Sequence, residues 1–128
     1  RLLDSGDHPA QEVERRIRVL HMASRQVNTR IFASIAHALL RRRRLQICHL
    51  NRRADRRTER VVSPQRLAHY RDNWYLDSWC HMRNALRSFA VDAIERADLL
   101  EDESAVEVGE ARLEKVLGTG YGISDLTM

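Results

Sequence analysis

The stretch Leu67-Ala-His-Tyr-Arg-Asp-Asn-Trp-Tyr-Leu-Asp-Ser-Trp-Cys-His81 decides how the rest of the chain is read. Leu67 to Arg71 and Trp74 to Cys80 are rich in aromatic and apolar residues. The Asp72-Asn73 pair between them is a turn dipeptide, because both side chains tolerate the left-handed conformation and bond to their own backbone. The pattern predicts a β-hairpin. Tyr70, Trp74, Tyr75 and Trp79, with Phe89 just beyond, are five of the seven aromatic residues in 128 positions, so this hairpin and the strand after it are expected to seed a small β core.

Outward from the hairpin, short alternating segments recur. Leu45 to Leu50 places Leu45, Ile47 and His49 on one face, and Thr58 to Ser63 forms the next strand. Pro64 should bend or end that strand, since proline cannot donate to a ladder, and Leu67 to Tyr70 continues past the bend. Trp74 to His81, Leu86 to Val91 and Ile94 to Leu99 follow, the last two joined tightly near Asp92-Ala93. Asn28 reads as the N-cap of a helix through Arg43, with a stripe of Ile31, Ile35 and Leu39. Before it, Val13, Ile17, Leu20 and Val27 fall on one face of a helix expected from Ala10 to about Arg25. Arg1 to Pro9 reads as a linker or frayed end, Glu101 to Ser104 as an acidic loop, and Val108 or Gly109 to about Leu117 as a helix capped by Gly118.

Four segments in register carry a resemblance to a known family. Glu59-Arg60-Val61-Val62-Ser63-Pro64, Arg66-Leu67, Trp74-Tyr75-Leu76 and Arg87-Ser88-Phe89-Ala90-Val91-Asp92-Ala93-Ile94 resemble, in order and spacing, the WYL domain of bacterial helix-turn-helix transcription regulators. The resemblance implies an α+β chain with a small Sm-like or SH3-like five-stranded β barrel at 45–100. Linker and two N-terminal helices would occupy 1–44. An acidic loop and the start of a C-terminal extension with a short helix would occupy 101–128.

Composition sets outer limits. The chain is long enough for one core, and its 43% apolar content includes no run of the roughly 20 residues a membrane span needs. Cys48 and Cys80 lack the density of a disulfide framework and read as free thiols of a cytoplasmic protein. Beginning at Arg1, the sequence reads as an excised piece. Nineteen arginines face eight acids up to Val91, a surplus of +11. From Asp92 onward three basic residues face ten acids, a deficit of −7, which together give the net charge of +4. Arginine suits bidentate capture of phosphate or carboxylate, so an anionic partner is expected of the basic body. Arg41-Arg42-Arg43-Arg44 reads first as a helix terminator, with a phosphate-contacting patch as the alternative.

Alternation places Arg60 beside Val62, and Arg87 beside Phe89 and Val91. An arginine on an apolar face must be paired, must snorkel out, or must line a pocket. A structural pairing with Asp77 or Asp92 is the competing reading. The family resemblance implies that Arg60, Arg87 and Tyr75 line a ligand groove, with His49 where a tyrosine is frequent and Ala93 where an arginine often stands. His81 and Arg83, at the hairpin end nearest Arg87, are secondary candidates. Cys48-His49 and Cys80-His81 tempt a metal reading, yet adjacent strand residues face opposite ways and neither pair supplies the four ligands of a structural zinc. No catalytic constellation and no cofactor are expected. The function implied is a sensing domain that binds a nucleotide or single-stranded nucleic acid, with DNA contacted through a separate helix-turn-helix domain. The alternative is a ligand-free dimerisation module, and a homodimer is expected from the Val13/Ile17/Leu20 stripe.

Overall fold

The structure, a computed structural model, describes residues 12, 16–19 and 28–118. Its elements run β1 (Ile17–Val19), α1 (Thr29–Arg41), β2 (Arg43–Asn51), β3 (Arg56–Tyr70), β4 (Asn73–Cys80), β5 (Ala85–Ala90), a 3-10 turn (Val91–Ala93), β6 (Ile94–Ser104) and α2 (Glu110–Leu117). The fold is α+β. Five antiparallel strands form one sheet in the order β5-β4-β3-β2-β6, and β1 adds in parallel to β3 through the pairs Ile17↔Leu67 and Val19↔His69.

The helix begins where Asn28 caps it, its Oδ1 accepting the Ile31 N–H at 3.1 Å. It ends at Arg42, whose backbone is left-handed at φ 57°. Its apolar stripe puts Ile35 and Leu39, both fully buried, against Leu45, Ile47, Val62, Leu67, Leu76, Phe89 and Ile94 of the sheet. Burying side chains of this size stabilises the fold by about 1.5–3 kcal/mol each. On the opposite side, Leu113 and Leu117 of α2 pack with Leu86 and the half-buried Trp79. Residues 105–109 lead into that helix and are tied down by Gln65, whose Nε2 donates to Val106 O at 2.7 Å while its Oε1 accepts from Val108 N at 3.1 Å.

Five expectations are corrected. The sheet is open, not a closed barrel: β5 and β6 are its edges, and α1, seated on β2, β3 and β6, buries the apolar face that closure would have buried. The first expected helix does not run on through Ile17: Glu12 and Arg16 are helical, but Ile17 lies on β1 and packs into the main core. Val13, Leu20 and Val27, its expected partners, lie outside the described residues. The acidic segment Glu101 to Ser104 is the end of β6, held beside the arginines of the helix end by Arg41–Glu101 at 3.1 Å and Arg44–Glu103 at 3.9 Å. The hairpin turn is Arg71-Asp72, one residue earlier than expected, since Tyr70 pairs with Asn73 and Arg71 takes the positive φ of 57°.

The fifth concerns the aromatic residues. Of the five around the hairpin only Phe89 is fully buried. Trp74 stacks edge-on to Phe32 at 5.0 Å at the margin of the core, while Tyr70 lies beside Arg71 at the turn. Strand alternation divides the aromatic side chains between two faces, and the aliphatic residues do most of the filling.

Candidate anion-binding pocket

A strand puts every second residue on one face, and pairing then aligns those residues across the sheet. His49 lies opposite Thr58, and Ile47 opposite Arg60, while Arg87 lies opposite Ser78 on β4. The twist of the sheet brings His49, Arg60 and Arg87 to one cavity of about 310 Å³, with Phe89 between them and Tyr75 on the wall. Four of the six candidates thus share one place. His81 and Arg83 do not line it: His81 sits in the turn after β4, 2.8 Å from Ser63 Oγ, and Arg83 is exposed in the same turn.

Arg60 is only 6% exposed, yet among the described residues no carboxylate pairs with it. Its Nε donates to Thr58 Oγ1 at 3.1 Å, its Nη1 lies 3.6 Å from Cys80 Sγ, and its guanidinium carbon stands 5.6 Å from the Phe89 ring centre. The ring face supports the cation without neutralising it. Arg87 is half-buried and likewise has no acidic partner among the described residues. Burial first, then the charges of Arg60 and Arg83, lower its pKa from the ordinary value.

The competing pairings resolve elsewhere. Asp77 belongs to Arg66, 2.6 Å away and directly opposite it in the ladder, and Asp92 lies 3.6 Å from Arg52. His49 is edge-on to Phe89 at 5.0 Å, and its Nδ1 is buried without a hydrogen-bond partner. Its pKa is lowered, by burial and then by the charges of Arg60, Arg87 and Arg52. Among the described residues no Asp or Glu lines the cavity. A cavity lined by four arginines with Phe89 and Tyr75, and by no acid among the described residues, is suited to an anion carrying an apolar or aromatic body.

Sequence reasoning passed over Asn51, Arg52, Arg53 and Ser88, which also line the cavity. The signal was present in the Arg52-Arg53 pair three residues past His49, but it read as an ordinary polar turn. The Arg41 to Arg44 run goes the other way. Arg41, Arg42 and Arg44 are met by Glu101, Glu107 and Glu103, the pairing of a folded helix end. Among the described residues no group of three His, Cys, Asp or Glu is placed to share a metal ion, and no helix is long and apolar enough to cross a membrane.

An open antiparallel sheet backed by one helix, with a pocket lined by arginines, defines a small α+β domain with a cationic pocket. The WYL domain model matches residues 30–99, and the chain belongs to that family. It is similar in structure to proteasome accessory factor B/C (PafBC) of Arthrobacter aurescens, with a TM-score of 0.57 and 27% identity over 63% of this chain. The match spans 13% of the PafBC chain. No curated protein matches the sequence.

Proposed function

We propose that this WYL domain is the ligand-sensing part of a bacterial transcription regulator. It takes up an anionic ligand, a nucleotide or a segment of single-stranded nucleic acid, and performs no catalysis. Arg60 and Arg87 hold a phosphate with His49 beside them, Tyr75 meets the rest of the ligand, and DNA is contacted by another part of the regulator. One observation carries the reading: two arginines on an apolar sheet face, neither paired to an acid among the described residues, in a cavity whose lining holds no carboxylate. A buried cation left without a counter-charge is costly, and a phosphate supplies the missing partner.

The test is a titration of a labelled oligothymidylate and of a cyclic dinucleotide against wild type, Arg87→Ala and the Arg60→Ala/Arg87→Ala double variant, at two salt concentrations. A charge-assisted bond to phosphate contributes about 1.5–3 kcal/mol, so each arginine removed should weaken binding roughly ten- to a hundredfold. The folded double variant retaining full affinity would remove both arginines from the site.

A further inference from the structure

We propose that His49 is a proton-coupled specificity residue of the pocket: it takes up one proton when a phosphate diester enters, so the site binds such anions more tightly as the pH falls. The inference rests on the anion-binding reading above and adds to it a residue that makes the affinity conditional.

The geometry assigns the role. His49 projects from β2 on the same face as Leu45 and Ile47, and is held edge-on to Phe89 at 5.0 Å. His49 lines the cavity beside Arg52, Arg60 and Arg87, and its Nδ1 is buried without a hydrogen-bond partner. The charged groups around it come from three directions: Arg60 on β3, Arg87 on β5, and Arg52 and Arg53 in the turn after β2. Its register partners, Thr58 on β3 and Ile94 on β6, are neutral. The carboxylates of the neighbouring turn and strand, Asp92 and Glu95, are engaged by Arg52 and Arg57, at 3.6 and 2.7 Å.

In the empty cavity a further positive charge is opposed by burial and by those arginines, and the imidazole stays neutral at pH 7. An entering phosphate diester reverses the balance. Its charge offsets the arginines and favours the imidazolium, whose N–H makes a stronger, charge-assisted bond to a phosphate oxygen than the neutral ring can. The proton comes from solvent, the phosphate keeps its charge, and no bond of the ligand is made or broken. Between the pKa of His49 in the empty pocket and its higher value in the complex, affinity changes by up to tenfold per pH unit, the limit for one linked proton.

Oligothymidylate is the probe, because neither its phosphodiesters nor its bases titrate near neutrality. Calorimetry in two buffers of different ionisation heat, repeated from about pH 6 to about pH 8, counts the protons taken up on binding. Wild type should take up a fraction of a proton, at most one, with affinity rising toward low pH. His49→Gln should bind with pH-independent affinity and no uptake, whereas His81→Gln should keep the wild-type uptake. The His49 ring resonances should titrate at higher pH in the complex than in the free protein. Binding by wild type without proton uptake, or uptake that survives in His49→Gln, overturns this proposal and leaves the anion-binding reading in place. Absence of oligothymidylate binding across the whole pH range overturns both.

Discussion

Arginine occurs buried here in two circumstances, and the difference separates structure from binding. Arg66 and Asp77 face each other across the β3–β4 ladder, with side chains 2% and 0% exposed, and Arg66 Nη2 also donates to Gly118 O. Arg60 and Arg87 have no such acid among the described residues. Arg66→Ala would leave the Asp77 carboxylate buried without its cation, and breaking a buried pair from one side costs about 3–5 kcal/mol. Urea denaturation should show that loss, while Arg87→Ala should shift stability by only about 0.5 kcal/mol, the range of a substitution that breaks no buried pair. The reverse order would make Arg87 a structural residue. Asp77 was visible in the sequence as a partner for some arginine, but only strand register gives it to Arg66.

Among the elements, the helix start and the strands were legible because their signals are local. Asn28 has the side chain that an N-cap needs, and the following stripe has helical period, so α1 begins where the sequence placed it. Asn28→Ala should cost about 1 kcal/mol, measured as a fall in urea midpoint with unchanged slope. A change within error would mean that Ile31 N–H finds water as good a partner as Asn28 Oδ1. Elements whose fate depends on distant neighbours were read less well. Ile17-Arg-Val19 is too short to distinguish a helical from an extended period. It becomes a strand because β3 offers a free edge at Leu67 to His69 and because Arg16, almost fully buried, donates to Gln65 O at 3.2 Å. With Ile17 in the core, the residue expected to lie in a dimer-forming stripe is already used inside the domain.

For the molecule as a whole, the uneven charge of the sequence is redistributed by folding. The acidic segment returns along β2 and the end of α1, where Glu101, Glu103 and Glu107 meet Arg41, Arg44 and Arg42. That neutralises much of the arginine run and leaves Arg60 and Arg87 in the pocket without acidic partners among the described residues. Of the two described helices, α1 buries its apolar face on the sheet and α2 is eight residues long and carries Glu110 and Glu114. Neither is built to read base edges in a major groove. Duplex DNA should therefore bind weakly and without sequence preference, with affinity falling steeply as salt rises. Competition gels check this, and one duplex held far more tightly than scrambled controls would contradict it.

The sequence by itself determined the number and order of the sheet strands from β2 to β6, the helix cap at Asn28, the family, and a face shared by apolar residues with Arg60 and Arg87. These follow from periods of two and of 3.6 residues, from capping chemistry, and from four motif segments in register, all readable within a few positions of each residue. Only the tertiary structure decided that the sheet stays open under α1, that Ile17 lies on a strand, that the acidic segment is an edge strand, and that Arg52 and Arg53 join His49 at the cavity. Those outcomes rest on partners far apart in the chain: Arg16 with Gln65 across 49 positions, Arg41 with Glu101 across 60, and Arg16 with Glu107 across 91. Burial makes an unpaired charge or backbone group costly, so the fold settles each by whichever partner three-dimensional packing brings near, and no local period encodes that choice.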